Sequence, residues 1–143
     1  MEKLSFNQYD YLPFIPYRII ETLSNNTEAD NIFKLLYYPT YDALSQPNLT
    51  FDQKMDLIWC NNDSEQDYKI FLKPLVSNEI TESMTQMRLF KCDIDPQNQI
   101  ISTLSYQFDF IIGSKIAMVD YMGIPCPRID VLEMEILKAL NGR

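Results

Sequence analysis

The side chains able to do chemistry are few, and they stand apart from one another. Asp93 and Asp95 lie two residues apart at the expected end of a strand, so both carboxylates face the same way. Such a pair can hold Mg²⁺ or exchange protons, yet no recognisable motif supplies the further partners of that site, and acids are common in Asp-Pro turns. Cys126, between Pro125 and Pro127, has the position of an unusual nucleophile, but the chain contains no histidine to activate it. The same absence removes Ser-His pairs and the one side chain that ordinarily titrates near neutrality. Gly113, Gly123 and Gly142 are the three glycines, too dispersed for a loop that wraps a phosphate. Asp130, Glu133 and Glu135 read as first-turn charges and solvated surface of a helix. The expectation is a protein that is no enzyme, with no catalytic, metal or cofactor-binding residues and no cofactor. An enzyme of unfamiliar type would have to use Asp93 and Asp95.

Cys60, Cys92 and Cys126 are odd in number and widely separated, so they read as buried free thiols rather than a disulfide framework or a metal site. Basic residues number 12 against 20 acidic, for a net charge of −8. That balance disfavours a phosphate-neutralising surface and suits a soluble chain, a basic partner, or a wall that DNA passes without adhering. The first residues carry no basic region followed by an apolar run. No apolar stretch approaches the roughly 20 residues that span a bilayer. The expected place is cytoplasmic, with no membrane partner, and the Asn-x-Ser/Thr triplets at Asn25, Asn48 and Asn62 are then chance matches.

Hydrophobic residues make up 46% of the 143 and aromatics 13%, enough for one domain with a real core. Residues 1–15 read as an extended aromatic arm. The arm either packs on its own domain or reaches a neighbouring subunit, with Tyr9, Tyr11 and Phe14 as its candidate contacts, since aromatic side chains anchor interfaces. Residues 16–60 read as helical. Pro16 suits a first turn with Ile19, Ile20 and Leu23 on one face. Thr27 and Asp30 resemble a capping box before Ile32, Phe33, Leu36 and Tyr37, and Pro39 stops that helix. Thr50 and Gln53 form another capping box, with Phe51, Met55, Ile58 and Trp59 following on one face. The polar stretch at 61–67 is the internal boundary.

Residues 68–143 carry the sheet and a last helix. Residues 68–72 read as a strand flanked by Lys69 and Lys73, the kind of lysines that protect an edge. Residues 84–94 read as a second strand with Arg88, Phe90, Cys92 and Ile94 on one face, and 95–99 as a turn. In residues 102–112, Leu104, Tyr106, Phe108, Phe110 and Ile112 alternate with a more polar set, which predicts a half-buried strand in a long antiparallel hairpin with 84–94. Residues 115–122 are open between strand and helix, 123–127 form an extended connector, and Ile129, Leu132, Ile136 and Leu140 make a helical stripe from Arg128 onward. The class is α+β: a helical N-terminal third, an antiparallel sheet with a long hairpin, and a closing C-terminal helix.

The order of these segments carries one resemblance. A helical third precedes Tyr68-Lys69-Ile70-Phe71-Leu72 and Gln86-Met87-Arg88-Leu89-Phe90. The long strand 102–112 follows, and the chain closes on Arg128-x-Asp130 and Leu140-Asn141-Gly142. Residues 65–143 thereby resemble the small neck proteins of tailed bacteriophages: head–tail connectors, tail-completion proteins and tail terminators. The resemblance implies a structural virion protein, assembled in the host cytoplasm, that forms a closed homo-oligomeric ring, commonly of about six or twelve copies. Its implied partners are its own copies, the adjacent portal, connector or tail proteins, and DNA that passes through the ring without specific binding. Tyr9, Tyr11, Phe14, Tyr106, Phe108 and Arg128 are the candidate interface residues. A small acidic inhibitor of a host or nucleic-acid-handling protein is the rival reading.

Overall fold

Three short helices precede the sheet in the computed structural model, which describes residues 10–60, 64–76, 82–97 and 102–141. Helix α1 (Ile15–Ser24) carries Pro16 in its first turn, where a missing N–H costs nothing. A 3-10 turn, Leu12–Phe14, runs straight into it. The end of the expected arm is therefore helical rather than extended, and Tyr9 lies outside the described residues. Asn26 caps the next segment by accepting the Glu28 N–H at 2.9 Å, so the cap falls one residue before Thr27. The 3-10 turn Thr27–Ala29 then leads into α2 (Asp30–Tyr37). Helix α3 (Phe51–Met55) opens on the expected capping box. Gln53 N–H donates to Thr50 Oγ1 at 3.2 Å, and Thr50 N–H donates to Gln53 Oε1 at 2.9 Å. It ends sooner than its apolar spacing predicts, because Ile58 leaves the helix to bridge Ile70 in parallel.

The main sheet has the order β1-β2-β3. Strand β1 (Ile70–Phe71) lies parallel to β2 (Thr85–Pro96), which runs antiparallel to β3 (Ser102–Ile112). The long hairpin is thus as expected, but the core face of β2 is not. Met87 and Leu89 are buried and oppose Phe110 and Phe108, so Arg88 and Phe90 point to the other face. The register shifts between Lys91 and Asp93. The extra residue, Cys92, brings Ile94 round to the side of Leu104, and only a bulge lets both sets belong to one strand.

Residues 118–127 form a second, two-stranded sheet of β4 (Met118–Tyr121) and β5 (Ile124–Pro127). The expected connector is therefore half of a hairpin. Met122 and Gly123, its two loop residues, both have positive φ (56° and 84°), the signature of a type I′ turn.

Helix α4 (Arg128–Asn141) closes the chain. It is rotated from the stripe its apolar residues suggest. Arg128, Val131, Leu132, Glu135 and Ile136 are buried, while Ile129 and Leu140 face solvent. Ile20, Leu23, Ile32, Phe33, Leu35 and Leu36 join these residues, Met87 and Leu89 in one core, with Tyr106, Phe108, Phe110 and Ile112 packed against its rim. Each fully buried aliphatic or aromatic side chain contributes roughly 1.5–3 kcal/mol. The helices thus lie on one face of the β1-β2-β3 sheet, and β3 runs along its margin.

Candidate functional site

The arrangement with most to offer a partner is the outer edge of β3. Along an antiparallel strand, successive residues turn their backbone groups alternately toward and away from the neighbour. Gly113 N–H bonds the Met84 carbonyl at 2.7 Å, and Met87 N–H bonds the Lys69 carbonyl of the β1 side at 2.8 Å. With the Met87–Phe110 register, these two bonds fix the alternation. Thr103, Ser105, Gln107, Asp109 and Ile111 face β2, whereas Leu104, Tyr106, Phe108, Phe110 and Ile112 turn their N–H and C=O groups outward. Among the described residues, no backbone group pairs with that edge.

The other strands are treated differently. The outer side of β1 is filled by the preceding chain: Ile70 N–H bonds the Leu57 carbonyl at 2.9 Å and Trp59 N–H bonds the Ile70 carbonyl at 2.8 Å. On β4, Asp120 N–H bonds the Tyr41 carbonyl at 2.9 Å. On β5, Arg128 N–H bonds the Ala117 carbonyl at 2.7 Å, which sets the alternation so that Pro125 and Pro127 face outward and offer no donor. Strand β3 has no proline, no lysine and a single charge, Asp109. Among the described residues, Asp109 is the one common device that blunts this edge.

A second surface surrounds α1. Tyr11 and Phe14 are 67% and 58% exposed and, with Ile15 and Arg18, line a recess of about 240 Å³. Ile15 and Arg18 also border a groove of about 350 Å³ that runs to Ala139 and Leu140 of α4. A polar cleft of about 580 Å³ lies between the start of α2 and α4. Glu135, expected on solvated surface, is buried at its wall, with Lys138 Nζ 3.8 Å from its carboxylate. Asp30, also on this cleft, is bonded to the buried Lys54.

The candidate interface residues therefore separate. Tyr11 and Phe14 are exposed together, and Tyr106 and Phe108 lie half-buried on the open strand. Arg128 is a correction, being fully buried. Its Nε donates to the Ile116 carbonyl at 2.7 Å, Nη1 to those of Leu35 and Tyr38 at 2.7 and 3.2 Å, and Nη2 to that of Thr40 at 2.8 Å. It closes the C-terminal end of α2, whose last carbonyls have no partner within the helix. Burial lowers its pKa from the usual guanidinium value. The thiols are corrected too. Cys60 and Cys92 are exposed and Cys126 is half-buried, all three free, and Cys92 is the residue the bulge turns out of the ladder. Asp93 and Asp95 are exposed on β2, and among the described residues no group of three His, Cys, Asp or Glu is placed to hold a metal ion. No described helix is long and apolar enough to cross a membrane. Tyr106 and Phe108 among the expected contacts lie on the open edge, whose signal in the sequence is a long alternating strand without lysine or proline.

Residues 29–143 match the YomW family. The chain belongs to that family. The YomW name is phage-derived, from SPbeta-like phages of Bacillus. The YomW match takes in α2 to α4, both sheets, the Arg128 tie and the open edge, whereas α1, Tyr11 and Phe14 precede it. Neither a curated protein nor a solved structure matches the chain.

Proposed function

We propose that this chain is a non-enzymatic assembly protein of a phage particle, a subunit of an oligomeric ring in the neck between portal and tail. The observation that carries the reading is the open β3 edge, which among the described residues is the one strand border left without partner, proline or lysine. An edge of this kind pairs with another polypeptide. The phage-derived family supports a particle component. The electrostatics support a channel wall. Among the described residues Lys34, Lys54 and Arg128 are buried, as against one carboxylate, Glu135, so their exposed surface is more acidic than their net charge implies. Such a wall lets DNA pass without holding it. The partners are then further copies, the flanking portal, connector or tail proteins, and transiting DNA.

Native mass spectrometry and negative-stain microscopy, on the protein alone and mixed with a portal ring, test the reading. Closed multi-copy rings are expected. Monomers at every concentration, with and without the portal, would overturn it.

A further inference from the structure

We infer that the β3 edge is self-complementary and joins two copies of this chain antiparallel, about a two-fold axis at Phe108. The inference deepens the assembly reading above, and rests on it, by naming the contact. Three observations carry it.

The first is the lack of any other unobstructed edge among the described residues. The outer side of β1 is filled by residues 57–59, the length of β2 past Arg88 that β1 does not cover carries Lys91, the bulge at Cys92 and Pro96, β4 is bonded to Tyr41, and β5 presents Pro125 and Pro127. Strand pairing between described elements of two copies is therefore least obstructed at β3, and the same patch on both sides makes the contact isologous.

The second is the alternation of the backbone. The outward residues are Leu104, Tyr106, Phe108, Phe110 and Ile112. An axis at Phe108 sets Tyr106 against the second copy's Phe110, and Leu104 against its Ile112. Every outward N–H and C=O from Leu104 to Ile112 then has a partner. The side chains of these residues lie on the core face, so the half-buried Tyr106, Phe108 and Phe110 continue as one aromatic stripe across the junction. Directly opposed aromatic pairs add to burial.

The third is charge. An axis at Asp109 would oppose the strand's one carboxylate to itself, which is unfavourable. The Phe108 axis opposes Asp109 to the second copy's Gln107, twice over. Gln107 is exposed and its amide already bonds Asp109 of its own strand at 2.7 Å, so the group that satisfies this carboxylate lies within reach from either copy. A two-fold contact closes on itself. A ring that uses it has an even copy number and needs a second contact, for which the Tyr11–Phe14 surface stands apart from the edge.

Sedimentation velocity of the full chain and of Gln107→Asp, with residue-resolved hydrogen exchange, tests the contact. The wild type should associate, and in the associated state the amides of Leu104, Tyr106, Phe108, Phe110 and Ile112 should exchange as slowly as those facing β2. Gln107→Asp should weaken the dimer about tenfold or more, since both symmetry-related pairs become repulsive, and should speed exchange at those five amides alone. Gln107→Asp combined with Asp109→Gln should restore association. Circular dichroism spectra matching the wild type show that the variants fold. Association that Gln107→Asp leaves unchanged, or fast exchange of the five amides within an assembled particle, overturns the edge while leaving the ring reading intact. Loss without rescue by the double variant overturns the Phe108 register.

Discussion

Arg128 illustrates how a charged residue can look like surface in a sequence and prove central in the fold. Nothing in its neighbours Pro127 and Ile129 announces that four carbonyls, from Leu35 to Ile116, converge on it. Its partners lie up to 93 residues away, and spacing along a chain cannot report such distant geometry. Arg128→Met should leave buried carbonyls without donors and destabilise the protein by about 3 kcal/mol or more, read as a fall in the urea midpoint. An unchanged midpoint would mean that water replaces the guanidinium at little cost. Tyr106 makes the opposite case. Its hydroxyl is buried and makes no hydrogen bond, so Tyr106→Phe should stabilise by about 1 kcal/mol. Burial also raises the phenol pKa above its ordinary value of 10.0. The native state then keeps its proton where the unfolded chain has released it. This contribution is complete below about pH 10 and is lost as pH rises through the native pKa. Urea titrations from pH 8 to 11 should therefore show a steeper alkaline loss in the wild type than in Tyr106→Phe.

At the scale of elements, the legible parts were those governed by local periodicity. Residues 102–112 alternate cleanly and form β3, and Thr50 with Gln53 caps α3 as the spacing requires. What could not be read was phase. Helix α4 buries Leu132 and Ile136 of its apolar stripe together with the polar Arg128 and Glu135, and leaves Ile129 and Leu140 exposed, so its inward face is turned away from the stripe's two ends. Strand β2 changes face at Cys92, and a bulge leaves no mark in composition. The β4–β5 hairpin was hidden for a third reason. Its turn is Met-Gly where Asn-Gly is usual, and prolines in β5 argue against a strand unless that strand is an edge. Met122 is 85% exposed at φ 56°, a conformation that costs an ordinary residue about 1 kcal/mol. Met122→Asn should therefore raise the melting temperature, whereas Gly123→Ala, at φ 84° with no atom near its would-be Cβ, should lower it by strain alone. Two thermal melts decide this, and a neutral Gly123→Ala would remove the type I′ assignment.

For the molecule as a whole, the sign of the salt dependence separates the two functional readings. Copies that carry a net charge of −8, with Lys34, Lys54 and Arg128 buried against Glu135 among the described residues, repel one another before any strand pairs. Screening that repulsion helps self-association, because the β3 contact is held by backbone hydrogen bonds and aromatic burial, neither of which salt weakens. Raising the salt from about 10 mM to about 150 mM shortens the screening length from about 30 Å to about 8 Å. Over that range the subunit concentration needed for assembly should fall. An acidic inhibitor that meets a basic partner behaves the other way, since its attraction is the term that salt removes. Lowering the pH toward the sequence pI near 4.4 should act in the same direction as salt, as carboxylates are neutralised while the β3 edge, with Asp109 its one charge, keeps its hydrogen bonds. Light scattering across both variables measures this directly. Assembly that dissolves as salt rises would place an ionic contact, and not the strand edge, at the centre of how this protein finds its partner.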